Sequence, residues 1–158
     1  MSVEPNEQIA AAHDAYRAGN YEHAAALCRQ SLERTPADPV ALHLLGLCQH
    51  RLNRPREAAE TIRKAIQLAP DSAEMHNSLG VALRAMGRLN EAIETFGRAV
   101  ELKPDFPQAY NNLGNALSDE GRFTDAIECY RYALQLKPDY AEAHNNLAVA
   151  MTRTDGTR

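Results

Sequence analysis

Residues 107–140 read PQAYNNLGNALSDEGRFTDAIECYRYALQLKPDY. Three asparagines, Asn111, Asn112 and Asn115, stand inside a helical pattern, although asparagine is among the poorer helix formers. Where this stretch has AYNNLGNAL, the chain has MHNSLGVAL thirty-four residues earlier and AHNNLAVAM thirty-four residues later. The asparagines therefore belong to a repeat, and the question is which residues of each copy build the fold and which are left over for work.

The register of 34 divides the chain, without insertion or deletion, into blocks at 5–38, 39–72, 73–106 and 107–140. A half block at 141–153 and a tail at 154–158 follow, and residues 1–158 are expected to form one domain. Each full block closes on a proline (Pro36, Pro70, Pro104, Pro138) and carries an alanine twelve residues before it (Ala24, Ala58, Ala92, Ala126). Three blocks carry Leu-Gly at 45–46, 79–80 and 113–114. Apolar spacing within a block predicts two helices, for example Tyr110, Leu113 and Leu117, then Ala126, Ile127, Tyr130, Ala133 and Leu134. Between them Gly19, Gly87, Gly121 and, in the second block, Asn53 stand where a left-handed residue ends the first helix. The closing proline stops the second helix, and the aspartate after it in three blocks is expected to cap the next one. Small residues at Gly80, Gly114, Ala92 and Ala126 allow the two backbones to come close. One such hairpin cannot bury its apolar face alone, so blocks must stack.

This pattern resembles the tetratricopeptide repeat family in its Leu-Gly, its turn, its alanine, an aromatic such as Phe96 or Tyr130, a second alanine at Ala99 or Ala133, and the closing proline. The resemblance implies an all-α, right-handed superhelical solenoid of stacked antiparallel helix pairs. The first block departs from it with Ala11-Ala12 for Leu-Gly, Cys28 for the aromatic and Ser31 for the second alanine, as a terminal repeat does; the second has Ile62 for the aromatic. The wording of the later blocks is similar to the repeats in the arm of O-linked N-acetylglucosamine transferases and to those of bacterial scaffold proteins.

Composition narrows the function. A net charge of −4 with mixed signs lacks the one-sided field that nucleic acid or an anionic membrane requires. The N-terminus MSVEPNEQIAAAHD shows no export signal, and no apolar run approaches the roughly 20 residues of a membrane span, so a soluble, cytoplasmic chain is expected. Cys28, Cys48 and Cys129 show no paired spacing and read as reduced, mostly packed thiols. His43 and His50 share a helix face, yet about 10.5 Å of helix axis separates them, too far to share one zinc unaided. His76 and His144 read as packed rings with a satisfied nitrogen. Glu60 with Lys64 and Glu94 with Arg98 read as solvated helix pairs. No nucleophile, phosphate loop or paired-carboxylate motif is present. No enzymatic activity, catalytic residue, cofactor or metal site is expected.

The family resemblance further implies that first helices line a concave groove. Its candidate residues are His13, Tyr16, Arg17, His43, Leu44, Leu47, His50 and Arg51 in a basic, partly apolar first half. Asn77, Arg84, Asn111, Asn112, Asn115, Ser118, Asp119, Asn145, Asn146 and Arg153 continue it in a polar second half. The helical projection puts Asn111, Asn112 and Asn115 on one arc opposite Tyr110, Leu113 and Leu117, hence outside the core and facing the groove. Asparagines before Leu-Gly form a peptide-holding ladder in the transferase arm, and only Asn112 and Asn146 match it here. Chaperone-binding members clamp a terminal carboxylate with lysines that this chain lacks at the matching positions. The expected function is a protein-interaction scaffold holding a peptide or partner segment in the groove; the alternative is the substrate-recognition arm of a glycosyltransferase or other enzyme. An apolar stripe on the last helix, including Met151, suggests self-association through that helix as a further partner mode.

Overall fold

The computed structural model describes residues 5–155. Among them are nine helices and no strand: α1 (Pro5–Arg17), α2 (Tyr21–Arg34), α3 (Pro39–Arg51), α4 (Pro55–Leu68), α5 (Ala73–Ala85), α6 (Leu89–Leu102), α7 (Pro107–Asp119), α8 (Phe123–Leu136) and α9 (Ala141–Asp155). The odd-numbered helices are the first helices of the blocks.

The turns are built as the sequence predicts. Gly19, Gly87 and Gly121 have φ of +79°, +72° and +86°, and Asn53 has +59°. In each case the next amide reaches back to close the helix, as in Asn20 N to Ala15 O at 2.9 Å and Arg122 N to Leu117 O at 2.9 Å. Second helices end two residues before the closing prolines, because the residue preceding a proline is pushed out of helical geometry. The capping expectation needs correction. Asp38 caps α3, accepting from Val40 N and Ala41 N, and Ser72 caps α5 through Met75 N. Asp71 stands one residue before that cap, and at the start of α7 the cap position is held by Phe106, after Asp105, without a side-chain bond. Proline at the first position of α3 and α7 already lacks the amide that a cap would satisfy.

Packing within a pair rests on a size match. An added Cβ at Gly80 would lie 2.6 Å from the Phe96 ring and one at Gly114 2.6 Å from the Tyr130 ring; at Gly46 it would collide with Ile62. In the first pair the same two positions are Ala12 and Cys28, both fully buried. The larger residue on α1 is accommodated by a smaller one on α2, so the departure in the first block is a compensated exchange. Ala24, Ala58, Ala92 and Ala126 are fully buried in the second helices. Each second helix also packs on the next first helix. The backbones of first helices come close to those of the first helices of neighbouring pairs, α1 with α3 and onward to α7 with α9, whereas second helices stand farther apart and meet through long side chains, as where Arg63 on α4 reaches Glu91 on α6 at 3.4 Å. The stack is therefore tighter along its first helices, and these form its inner, concave side.

Candidate functional site

Each first helix presents the same positions to the inner side. One column, the ninth residue of each block, runs His13, Leu47, Val81, Asn115 and Val149, all at least partly exposed. His13, Leu47 and Asn115 were expected in the groove; Val81 and Val149 were missed, although the 34-residue register placed them beside the others.

Two series of hydrogen bonds cross between neighbouring first helices, each linking residues 35 apart. His43 Nε2 meets Ser78 Oγ at 2.9 Å, Asn112 Nδ2 donates to Asn77 Oδ1 at 3.0 Å, and Asn146 Nδ2 donates to Asn111 Oδ1 at 3.1 Å. Further along the helices, Arg51 Nε donates to Tyr16 Oη at 3.2 Å and Arg84 Nε to Asp119 Oδ2 at 2.6 Å. A separation of 35 rather than 34 means that neighbouring first helices pack one position out of register.

These bonds correct the reading of the asparagines. Asn111 is 0% exposed and cannot meet a ligand. Its Nδ2 donates to Glu142 Oε1 at 2.9 Å while its Oδ1 accepts from Asn146. Asn115 accepts from Tyr130 Oη at 2.8 Å and from Asn146 Nδ2 at 2.9 Å. An amide carries both donor and acceptor, so it can be satisfied on both sides when it is buried between helices. The projection of one isolated helix put these residues outside the core because it omits the next repeat. Leu44, 1% exposed, is likewise core and not groove.

The other candidates fall in two concavities and around them. The first, of 280 Å³, is lined by Tyr16, Leu47, His50, Arg51, Asn77 and Val81, among others. The second, of 150 Å³, brings Arg84, Asn115, Ser118, Asp119 and Asn146 together with Tyr130 and Val149. His13 is half-buried on α1 and near enough to His43 for its charge to be felt there. Arg17 is exposed and faces Asp14 at 3.6 Å, and Asn145 is exposed on α9.

Charge differs between the two concavities. Arg84 is neutralised by Asp119. Arg51 lies over the rings of Tyr16 and Tyr21, 6.0 and 5.9 Å from their centroids, and no carboxylate of the described residues pairs with it. The hydrogen bond to Tyr16 raises its already high pKa. Burial lowers the pKa of His50, and the neighbouring Arg51 charge adds to that; its Nδ1 is buried without a hydrogen-bond partner. Burial also lowers His43.

Elsewhere, His76 and His144 meet the carbonyls of Pro70 and Pro138 through Nε2 at 2.8 Å, so a ring nitrogen is satisfied in each as expected, but His144 is exposed rather than packed. Arg98 pairs with Glu101 at 3.2 Å rather than with Glu94. No group of three or more histidine, cysteine or acidic side chains among the described residues could hold a metal ion. No helix of the described residues is long and apolar enough to cross a membrane.

A family model described as TPR repeat matches residues 80–121 and 114–155. Another, described as anaphase-promoting complex, cyclosome, subunit 3, matches residues 17–99. No curated protein sequence matches the chain significantly. Among solved structures, MamA superposes with a TM-score of 0.82 at 25% identity, over 91% of this chain and 84% of that one. PilF of Pseudomonas aeruginosa superposes at 0.87 with 23% identity, over 96% and 69%. YrrB, described as a TPR protein with an unusual peptide-binding site, superposes at 0.77 with 22% identity, over 96% and 78%. The fold is the all-α, right-handed superhelical solenoid expected from the repeats.

Proposed function

This chain belongs to the tetratricopeptide repeat family, and on that premise we propose that it is a non-catalytic scaffold holding an extended peptide or partner segment along the inner side of its first helices. The observation that carries the reading is the column His13, Leu47, Val81, Asn115 and Val149. It stays open to solvent, while the positions facing the paired second helix, Gly46, Gly80 and Gly114, are shut by Ile62, Phe96 and Tyr130. An uncovered apolar-to-polar strip on a rigid concave support can bind an extended chain without first reorganising.

The transferase-arm alternative drew on Asn112 and Asn146. Both already donate through Nδ2, Asn112 to Asn77 and Asn146 to Asn111 and Asn115, so less of each amide is left for a ligand backbone, and the scaffold reading is preferred. The test is affinity capture from native lysate with the immobilised chain and with a Leu47→Glu, Val81→Glu double variant. A partner held by the parent and lost by the variant supports the groove. A partner retained by the variant but lost on Tyr132→Glu, on the exposed side of α8, would overturn it.

A further inference from the structure

The two concavities of the groove lie on equivalent elements yet differ in one electrical respect. In the rung between α5 and α7, Arg84 meets Asp119 at 2.6 Å, and the pair is neutral. In the equivalent rung between α1 and α3 the partners are Tyr16 and Arg51, so the same place carries an uncompensated positive charge. Resting on the groove reading above, we propose that the concavity around Arg51 is a subsite for one internal aspartate or glutamate side chain of the bound segment.

Three features of the site fit that chemistry. The guanidinium is held over two tyrosine rings, themselves edge to face at 5.3 Å, with its Nε fixed by the Tyr16 hydroxyl. Both Nη groups are left to donate to a carboxylate, the geometry arginine matches best. Asn77 accepts from Asn112 through Oδ1, which leaves its Nδ2 as a further donor. Leu47 and Val81 supply apolar wall for the methylenes of an acidic side chain.

Size and charge select among anions. At 280 Å³ the concavity sits at the small end of ligand pockets and suits one side chain. One unpaired arginine balances one carboxylate and leaves a dianionic phosphate half compensated. The groove continues past the site on both sides, to His13 on α1 and to Asn115 and Val149 on α7 and α9, so the segment runs through and its terminus is not what binds here.

The test is selection from a displayed library of random dodecapeptides, fused so that none has a free C-terminal carboxylate, on the full chain and on its Arg51→Gln and Arg51→Glu variants. Circular dichroism first establishes that both variants are folded. The expected result is an aspartate or glutamate recurring at one position on the parent, absent with Arg51→Gln, and replaced by lysine or arginine with Arg51→Glu. A selected peptide, synthesised as its C-terminal amide, should lose about tenfold or more in affinity when that acid becomes the amide, and should gain nothing from phosphoserine there. Enriched peptides with no recurring acid, or an acid that persists with Arg51→Gln, overturn the subsite while leaving the groove standing. No enrichment on any of the three chains overturns the groove reading itself.

Discussion

Asn146 Nδ2 donates to Asn111 Oδ1 at 3.1 Å, so the first helices α7 and α9 are joined by a side-chain amide pair of which Asn111 is wholly buried. Replacing Asn111 with alanine leaves Asn146 Nδ2 only its bond to Asn115 and removes the partner of Glu142. Stability should fall by about 1–3 kcal/mol. Asn145→Ala, exposed one residue before Asn146, should change it by less than about 0.5 kcal/mol. Urea unfolding midpoints compare the two; equal effects would mean that the amide pair carries no stability.

Two glycines in first and second helices should respond in opposite directions. Gly80→Ala places a methyl 2.6 Å from the Phe96 ring, which must move, at a cost of about 1–3 kcal/mol. Gly97 lies inside α6 with no atom within 4 Å of the added methyl, so Gly97→Ala should stabilise by about 0.5–1 kcal/mol through helix propensity. Thermal denaturation of the two variants reads both signs, and a shift in the same direction for both would contradict the packing described.

Burial lowers His43 from its ordinary 6.5; the Glu74 carboxylate opposes the shift and His13 adds to it. The unfolded chain therefore takes up the proton at higher pH than the folded one. This contribution to stability is complete above the ordinary imidazole pKa and is lost as pH falls from there through the lowered folded-state pKa. His50 shifts in the same direction. Unfolding midpoints measured from about pH 7.5 down to about pH 5 should fall, and His43→Gln, which keeps a partner for Ser78, should flatten the slope. An unchanged slope in the variant would exclude His43 as its source.

The repeat register, the turns at Gly19, Asn53, Gly87 and Gly121, and the close approach at Gly80 and Gly114 were legible in the sequence because they are local: each follows from a left-handed φ or from helical spacing within one block. Leu44 and Asn111 differ from expectation because their burial comes from a neighbouring repeat, the preceding one for Leu44 and the following one for Asn111, which a single-helix projection cannot contain. The caps depart from expectation for a local reason: Ser72 and Asp38 cap by standing one residue before the helix begins, whichever residue follows the closing proline. Arg51 is a groove candidate from its place in the repeat, but its support by Tyr21 on α2 and the contrast with Arg84 and Asp119 depend on distances between helices that spacing does not encode.

On α9 the side chain of Met151 is 44% exposed. Covering one such side chain is worth about 1.5–3 kcal/mol, so we expect concentration-dependent association through this face. Sedimentation equilibrium should show mass rising with concentration for the parent and a monomer for Met151→Glu. A parent that stays monomeric at the highest concentration reached would refute the association.

The central claim is that partners are held along the inner side of the first helices. Its most direct test is a map of backbone amide shift changes in the isotope-labelled chain on titration with a captured partner segment. Changes should concentrate on α1, α3, α5 and α7 around Leu47, Arg51, Asn77 and Val81. Changes confined to the outer faces of α4, α6 and α8, with these residues unmoved, would contradict it.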